Sequence, residues 1–450
     1  SGAEAPALAV RHQYQPGDVK FIRDATRLSA KFFGDKRDPI WADRQLRLCN
    51  HSFDIGLILS LAGESKDLIV AGILSSSFQE TLKEDRAKVK GTIERKFGSH
   101  VLSLIEEVSS HGDESRGWLS RAFDLVIKQR VTSQEVASLD CAIKIAILTT
   151  ANKLIEKGLQ RMEWPAQIRE ASLFKDEQAV TAVNESIVKY EEQGVSPQLI
   201  KQLKIEIARF NGEPSDVSDA VGLSEVDALA NTFRDLPAVF IEAQLIRSAA
   251  ELSSELFDEA ERKWGPHETL PLTAHEFEVG ILLALSGARK EIVIAGFLHD
   301  LFEGYVEIDR VEIRDRVEST FGGRVLELID SVTEPPKSNQ ASNWWNRKRA
   351  VLNQILKGDS DMATLSCATK ISTISAGNKF LRFGSNVNEW SRGTFQANVT
   401  VFEQHLKVYK RKKVPEGLIH QYAIELNIFK QGSMVPAEYH ILKDSMAAGA

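Results

Sequence analysis

The sequence predicts an all-α protein, on three observations. Apolar residues recur three and four apart along nearly the whole chain, with charge on the other face, which is the period of a half-buried helix. Runs alternating apolar and polar residues, the mark of a strand, are missing. Glycines and prolines fall where such helices should stop.

The helices are plainest in the second half. Residues 279–285, 292–301, 311–321, 325–332 and 350–356 each carry an apolar stripe. Gly322-Gly323 separates the third of these from the fourth, as Gly98 does in the first half. Pro335-Pro336 closes the fourth before a Trp-rich stretch. Residues 211–219, with Gly212, Pro214 and several Ser and Asp, have the composition of a linker.

The chain also repeats itself. Read from His51 and again from His275, it keeps Gly56 and Gly280, Gly63 and Gly287, Ala71-Gly72 and Ala295-Gly296, Leu74 and Leu298, and Phe97-Gly98 and Phe321-Gly322. After a short slip the match resumes at Trp118 and Trp344, Arg121 and Arg347, Cys141-Ala142 and Cys367-Ala368, Lys144 and Lys370, and Asn152-Lys153 and Asn378-Lys379. It reaches upstream to Ile22-Arg23 and Ile246-Arg247, and downstream to Glu206 and Glu425. A unit this long is a duplicated domain and not a solenoid repeat. The expected organisation is a first domain over 1–212, a linker over 213–235 and a second domain over 236–450, the two forming a pseudo-dimer.

Composition fits two ordinary helical domains. A chain of 450 residues with 43% hydrophobic content can bury two cores. A net charge of −7 argues against nonspecific nucleic-acid binding, which needs a basic face. No apolar run approaches the roughly 20 residues of a membrane span, and no charged-then-apolar leader opens the chain, so no membrane partner is expected. Cys49, Cys141 and Cys367 are odd in number and lack metal-ligand spacing; they read as buried reduced thiols, and the protein as cytoplasmic.

What differs between the copies carries the functional signal. The second has Leu298-His299-Asp300-Leu301-Phe302-Glu303 on an apolar helix, where the first has Leu74-Ser75-Ser76-Ser77-Phe78-Gln79. Packing alone therefore does not demand His299 and Asp300. An imidazole and a carboxylate held together in an apolar setting suit a divalent cation, whose charge offsets their desolvation. His275, one helix earlier, is a third candidate ligand.

The ordered series of His275, His299-Asp300, Glu303, Phe321-Gly322, Val332-Thr333-Glu334, Trp344-Trp345-Asn346-Arg347-Lys348 and Ala368-Thr369-Lys370-Ile371 resembles the HD-domain phosphohydrolases. The branch it is most similar to is the guanosine tetra- and pentaphosphate hydrolases of the stringent response. The resemblance implies two HD-type helical domains, a divalent metal, manganese before iron or zinc, and hydrolysis of a nucleotide or related phosphoester. It places metal ligands at His275, His299 and Asp300, a catalytic carboxylate at Glu303, and substrate contacts at Arg347, Lys348 and Lys370. It also marks departures: Thr369 stands where the family has a fourth ligand, Asp, and Gly304 where it has a second catalytic acid. In the first copy Ser75, Ser76 and Ile143 replace three ligands and only His51 remains.

Plainer readings stand beside these. His275 can be structural, since His51 persists without the other ligands, and His299 with Asp300 can be a relic held by a satisfied hydrogen bond. Glu303 aligns with Gln79, as expected of a solvated helix face. The recurring Trp118, Trp344, Arg121 and Arg347 suit an aromatic packed under a cationic stem. The alternative to an enzyme is thus a catalytically inactive descendant, without a cofactor, that binds a protein partner or senses a nucleotide.

Overall fold

The computed structural model describes residues 14, 16–33, 48–79, 83–109, 126, 130–156, 176–211, 238–257, 259–265, 268–303, 310–334, 344–387, 391 and 393–432. Among them the fold is all-α: seventeen helices and one two-stranded hairpin. No helix among the described residues is long and apolar enough to cross a membrane. The chain divides into two compact units, Ser1–Glu255 and Leu256–Ala450.

The first unit contains α1 (Pro16–Phe33), α2 (Leu48–Leu61), α3 (Lys66–Gln79), α4 (Lys83–Phe97), α5 (Ser99–Val108), α6 (Gln134–Glu156), α7 (Asp176–Glu192), α8 (Pro197–Phe210) and α9 (Ala238–Leu256). Helix α3 lies against α1, α2 and α5, and α6 against α2 and α8. The linker expected at 213–235 lies outside the described residues. The repeat assigns α9 to the second copy, but the division falls after it, at Glu255. Buried Arg247 ties α9 to the first unit, gripping Asp54 through Nε at 3.0 Å and Nη2 at 2.8 Å and reaching Thr149 Oγ1 at 3.0 Å.

The second unit opens with strands β1 (Glu261–Gly265) and β2 (Glu268–Pro271), an antiparallel pair. Helices α10 (Leu272–Leu285), α11 (Lys290–Leu298), α12 (Arg310–Phe321), α13 (Gly323–Val332), α14 (Trp344–Lys357), α15 (Ser360–Arg382), α16 (Phe395–Arg411) and α17 (Glu416–Gln431) follow. The five helices read from the sequence are all present. The hairpin is a correction: a strand of five residues is too short to show alternation, and its position against α15 is set by burying Trp264.

Helix α10 is buried along its whole length and crosses α11, and α15 packs against both. Two glycines set the close approach. A Cβ on Gly280 would stand 2.4 Å from the Phe297 ring, and one on Gly296 would stand 2.5 Å from Leu283 Cδ1. Gly56 and Gly72 do the same for α2 and α3, against Ile73 and Leu59. Gly98 and Gly322, at φ 92° and 89°, turn the chain into α5 and α13, a backbone conformation that a side chain would strain. Each unit ties a long helix to its last partner in one manner. Asn152 Nδ2 donates to the Glu206 carbonyl and carboxylate, both at 2.9 Å, and Asn378 Nδ2 donates to those of Glu425 at 3.0 and 2.8 Å.

The three cysteines are buried, as expected.

Candidate metal centre

The helix carrying His299 and Asp300 ends just before them. This corrects the expectation that both sit within a helix: α11 stops at Leu298, and the chain tightens into turns in which Leu301 N–H donates to the Leu298 carbonyl and Glu303 N–H to that of Asp300. In the first unit α3 runs on through Ser75–Ser77 to Gln79. The unwound end of α11 allows two consecutive side chains to face the same point, which a continuous helix, at 3.6 residues per turn, would splay apart.

That point is shared with His275 of α10. His275 Nε2 and His299 Nε2 are 3.2 Å apart. Asp300 Oδ1 is 3.3 Å from His299 Nε2, and its Oδ2 is 3.8 Å from His275 Nε2. All three residues are buried, at 1%, 5% and 4% exposure, and form the one metal-competent cluster of His, Cys and acidic groups among the described residues. Zinc-type bonds of about 2.0–2.2 Å arranged tetrahedrally or octahedrally put neighbouring ligand atoms about 3–3.6 Å apart. The 3.2 Å between the two Nε2 atoms and the 3.3 Å from His299 Nε2 to Asp300 Oδ1 fall in this range, while the 3.8 Å from His275 Nε2 to Asp300 Oδ2 lies just beyond it, so the three residues suit one cation once the carboxylate adjusts slightly.

Each histidine is held from behind. Ser372 Oγ, on α15, is 2.9 Å from His275 Nδ1. His299 Nδ1 is 3.0 Å from the Gly296 carbonyl, its hydrogen-bond acceptor, and 2.8 Å from Glu276 Oε2, an ion-pair contact. Both Nε2 atoms are thereby directed to the common point, the arrangement in which outer partners fix tautomer and ring orientation. Desolvation disfavours charge on His299, but Asp300 and Glu276 outweigh it and raise its pKa to about 9. Burial raises Glu276 to about 8. His299 Nε2 stands between His275 Nε2 at 3.2 Å and Asp300 Oδ1 at 3.3 Å.

Sequence reasoning missed Glu276, Ser372, Arg262 and Trp264. The Trp264 ring of β1 packs edge-on to His275 at 6.1 Å, and Arg262 Nη1 lies 3.7 Å from Asp300 Oδ2. A legible signal existed for two of them. The first copy has Ser52 and Ala146 where the second has Glu276 and Ser372.

Thr369 is buried one turn from Ser372, and its hydroxyl donates to the Ser366 carbonyl at 2.9 Å. It brings no carboxylate. Glu303 sits at the exposed rim and accepts the Glu334 N–H at 3.3 Å. Its carboxyl end is crowded: desolvation first, then the Asp300 and Glu334 charges, raise its pKa, an effect that solvent at the rim screens. Glu334 gathers the three expected substrate contacts. Lys348 Nζ bonds it directly, Arg347 Nε approaches at 3.5 Å, and burial, which opposes its ionisation, is outweighed by Lys348, Lys370 and Arg347, which lower its pKa. Lys370 is pushed down by desolvation and by Lys348, against Glu334, Glu303 and Asp300. Gly304 lies outside the described residues.

The first unit shows the contrast. Ser75 Oγ donates to the Gly72 carbonyl at 2.9 Å and Ile143 is buried. The Ser76 side chain lies outside the described residues. His51 is partly buried, and desolvation lowers its pKa to about 4. Lys144, the counterpart of Lys370, is enclosed with Asp140 and Tyr190, whose hydroxyl donates to Asp140 Oδ2 at 2.6 Å and accepts from Lys144 Nζ at 2.8 Å. Ser366 stands in the second unit where Asp140 stands in the first, and it bonds Tyr409 at 2.9 Å, leaving Lys370 to face the acidic groups of the site.

Compared with known proteins, the chain matches no protein-family model and no curated protein.

Proposed function

We propose that the second unit is an HD-type phosphohydrolase domain holding one divalent cation at His275, His299 and Asp300, and that its substrate is a nucleotide or related phosphoester. One observation carries the reading. Three residues from two helix ends bring candidate ligand atoms within 4.8 Å of one another in a buried site, and the Nδ1 of each histidine, on the side away from it, has its own partner. A cation there, manganese before iron or zinc, would supply Lewis-acid polarisation of a phosphoryl oxygen and a water of lowered pKa. Glu303, at the rim near Asp300, would orient that water or carry its proton. Lys370, Lys348 and Arg347 bring positive charge to the same rim, tempered by Glu334. The first unit is read as a second copy of the domain that has lost its ligands, and the protein as cytoplasmic.

A second reading, an inactive descendant that serves as a binding or sensing protein, has one specific support. The two Nε2 atoms stand 3.2 Å apart, within hydrogen-bonding reach of each other, so the histidines can close the site on themselves without a cation. Metal analysis separates the two. The enzyme reading expects about one equivalent of manganese, iron or zinc per chain, absent from His299→Ala. Protein that takes up no metal even when manganese is added would leave the second reading.

A further inference from the structure

The metal centre is short of one negative charge. Asp300 is its single carboxylate ligand, and Thr369 is neutral with its hydroxyl turned to the Ser366 carbonyl. A dication with two neutral imidazoles and one carboxylate keeps a net charge of +1 in a buried setting, which is costly unless further anionic charge lies close. A carboxyl group that is not itself a ligand, Glu276, stands beside His299. It is fully buried on α10, immediately after the ligand His275, and neither of its oxygens has a hydrogen bond among the described residues. Its Oε2 is 2.8 Å from Nδ1 of His299, the nitrogen opposite the coordinating one.

We propose that Glu276, acting through His299, supplies the negative charge that the centre lacks at Thr369. It is a positioning residue: it polarises the imidazole, makes Nε2 a stronger donor and fixes its tautomer, without touching the cation. Two differences between the copies support this independently of the distances. Where the first copy has Ser52 and Ala146, the second has Glu276 and Ser372, so both groups behind the histidines occur in the copy that has His299 and Asp300. A buried acid placed only for packing would have no reason to accompany the ligands.

The inference rests on the metal-binding reading, and the test separates the two failures. The full chain is titrated with manganese and with cobalt(II), and the cobalt absorption spectrum is recorded for wild type, Glu276→Gln and Glu276→Ser. The second variant carries the residue of the first copy and serves if the first does not fold. The expected result is a loss of about 10–100-fold in affinity for both metals, with an altered cobalt spectrum and an unchanged circular dichroism spectrum. Adding Thr369→Asp to either variant should recover much of the affinity. Wild-type affinity and an unshifted spectrum in a folded Glu276 variant would overturn the inference alone, even if the variant melts at a lower temperature. A wild-type chain that binds neither metal would overturn both.

Discussion

Ser372 Oγ lies 2.9 Å from Nδ1 of His275, so a hydroxyl on α15 sets which nitrogen of a histidine on α10 is left for a ligand. The matching position earlier in the sequence repeat is an alanine, Ala146, which has no hydroxyl to offer.

Ser372→Ala is expected to fold, because Ala146 occupies the equivalent position. It frees the His275 ring to rotate, and manganese affinity should fall about tenfold while the melting temperature barely moves. Isothermal titration alongside thermal unfolding checks this, and an unchanged affinity would mean that packing against Trp264 alone orients the ring.

Gly280→Ala should destabilise the second unit by about 1–3 kcal/mol, because the added methyl meets the rigid Phe297 ring and not a flexible side chain. The same methyl pushes α10 from α11, and with it His275 from His299. Metal affinity should therefore fall with stability. Denaturant melts and metal titration on one preparation measure both, and a stable variant with wild-type binding would remove the glycine contact as the device that assembles the site.

Breaking the buried ion pair of the first unit should cost more. Lys144 and Asp140 are both fully enclosed, so Asp140→Asn leaves an ammonium without its counter-charge, at an expected cost of about 3–5 kcal/mol. Replacing both, as Asp140→Leu with Lys144→Met, should restore most of that stability. Urea unfolding of the single and double variants tests the pair, and a double variant as unstable as the single would show that Tyr190 and not charge pairing governs the cost.

His405 predicts an acid limit. Its ring is fully buried beside Tyr409, and desolvation, then the Lys370 charge, lower its pKa from 6.5 to about 3. The unfolded chain takes up this proton below about pH 6.5 and the folded one does not. The stability it contributes is complete above pH 6.5 and is lost progressively as pH falls toward 3. Each pKa unit carries about 1.4 kcal/mol, so the loss reaches several kcal/mol. His405→Leu should flatten the stability profile between pH 6.5 and 4, measured by denaturant midpoint at each pH, with the partly buried His51 contributing the remaining slope in the same direction. A profile as steep as that of the wild type would assign the acid loss to other groups.

Much of this was legible before any coordinates. Helical period, glycine stops and the repeated series yield an all-α fold because local propensity and burial pattern agree along the chain, as at Gly98 and Gly322. His299 and Asp300 stood out by contrast with Ser75 and Ser76 at the matching positions of the sequence repeat. The hairpin was not, because β1 has five residues and owes its place to Trp264 meeting α15 and His275. Nor was the end of α11 at Leu298, for residues 292–301 keep a helical stripe beyond the point where the backbone leaves the helix.

The sequence by itself determined the helical class and set His275, His299 and Asp300 apart as candidates, since these depend on residue type and spacing along the chain. Only the tertiary structure decided that the three ligands meet, that Glu276 and Ser372 stand behind the two histidines, and that Lys370 faces the acidic rim while Lys144 is sealed against Asp140. Those outcomes depend on where helices cross, and the crossing of α10 with α11 is set by side-chain volume at Gly280 and Gly296, a contact between positions that no period in the sequence relates.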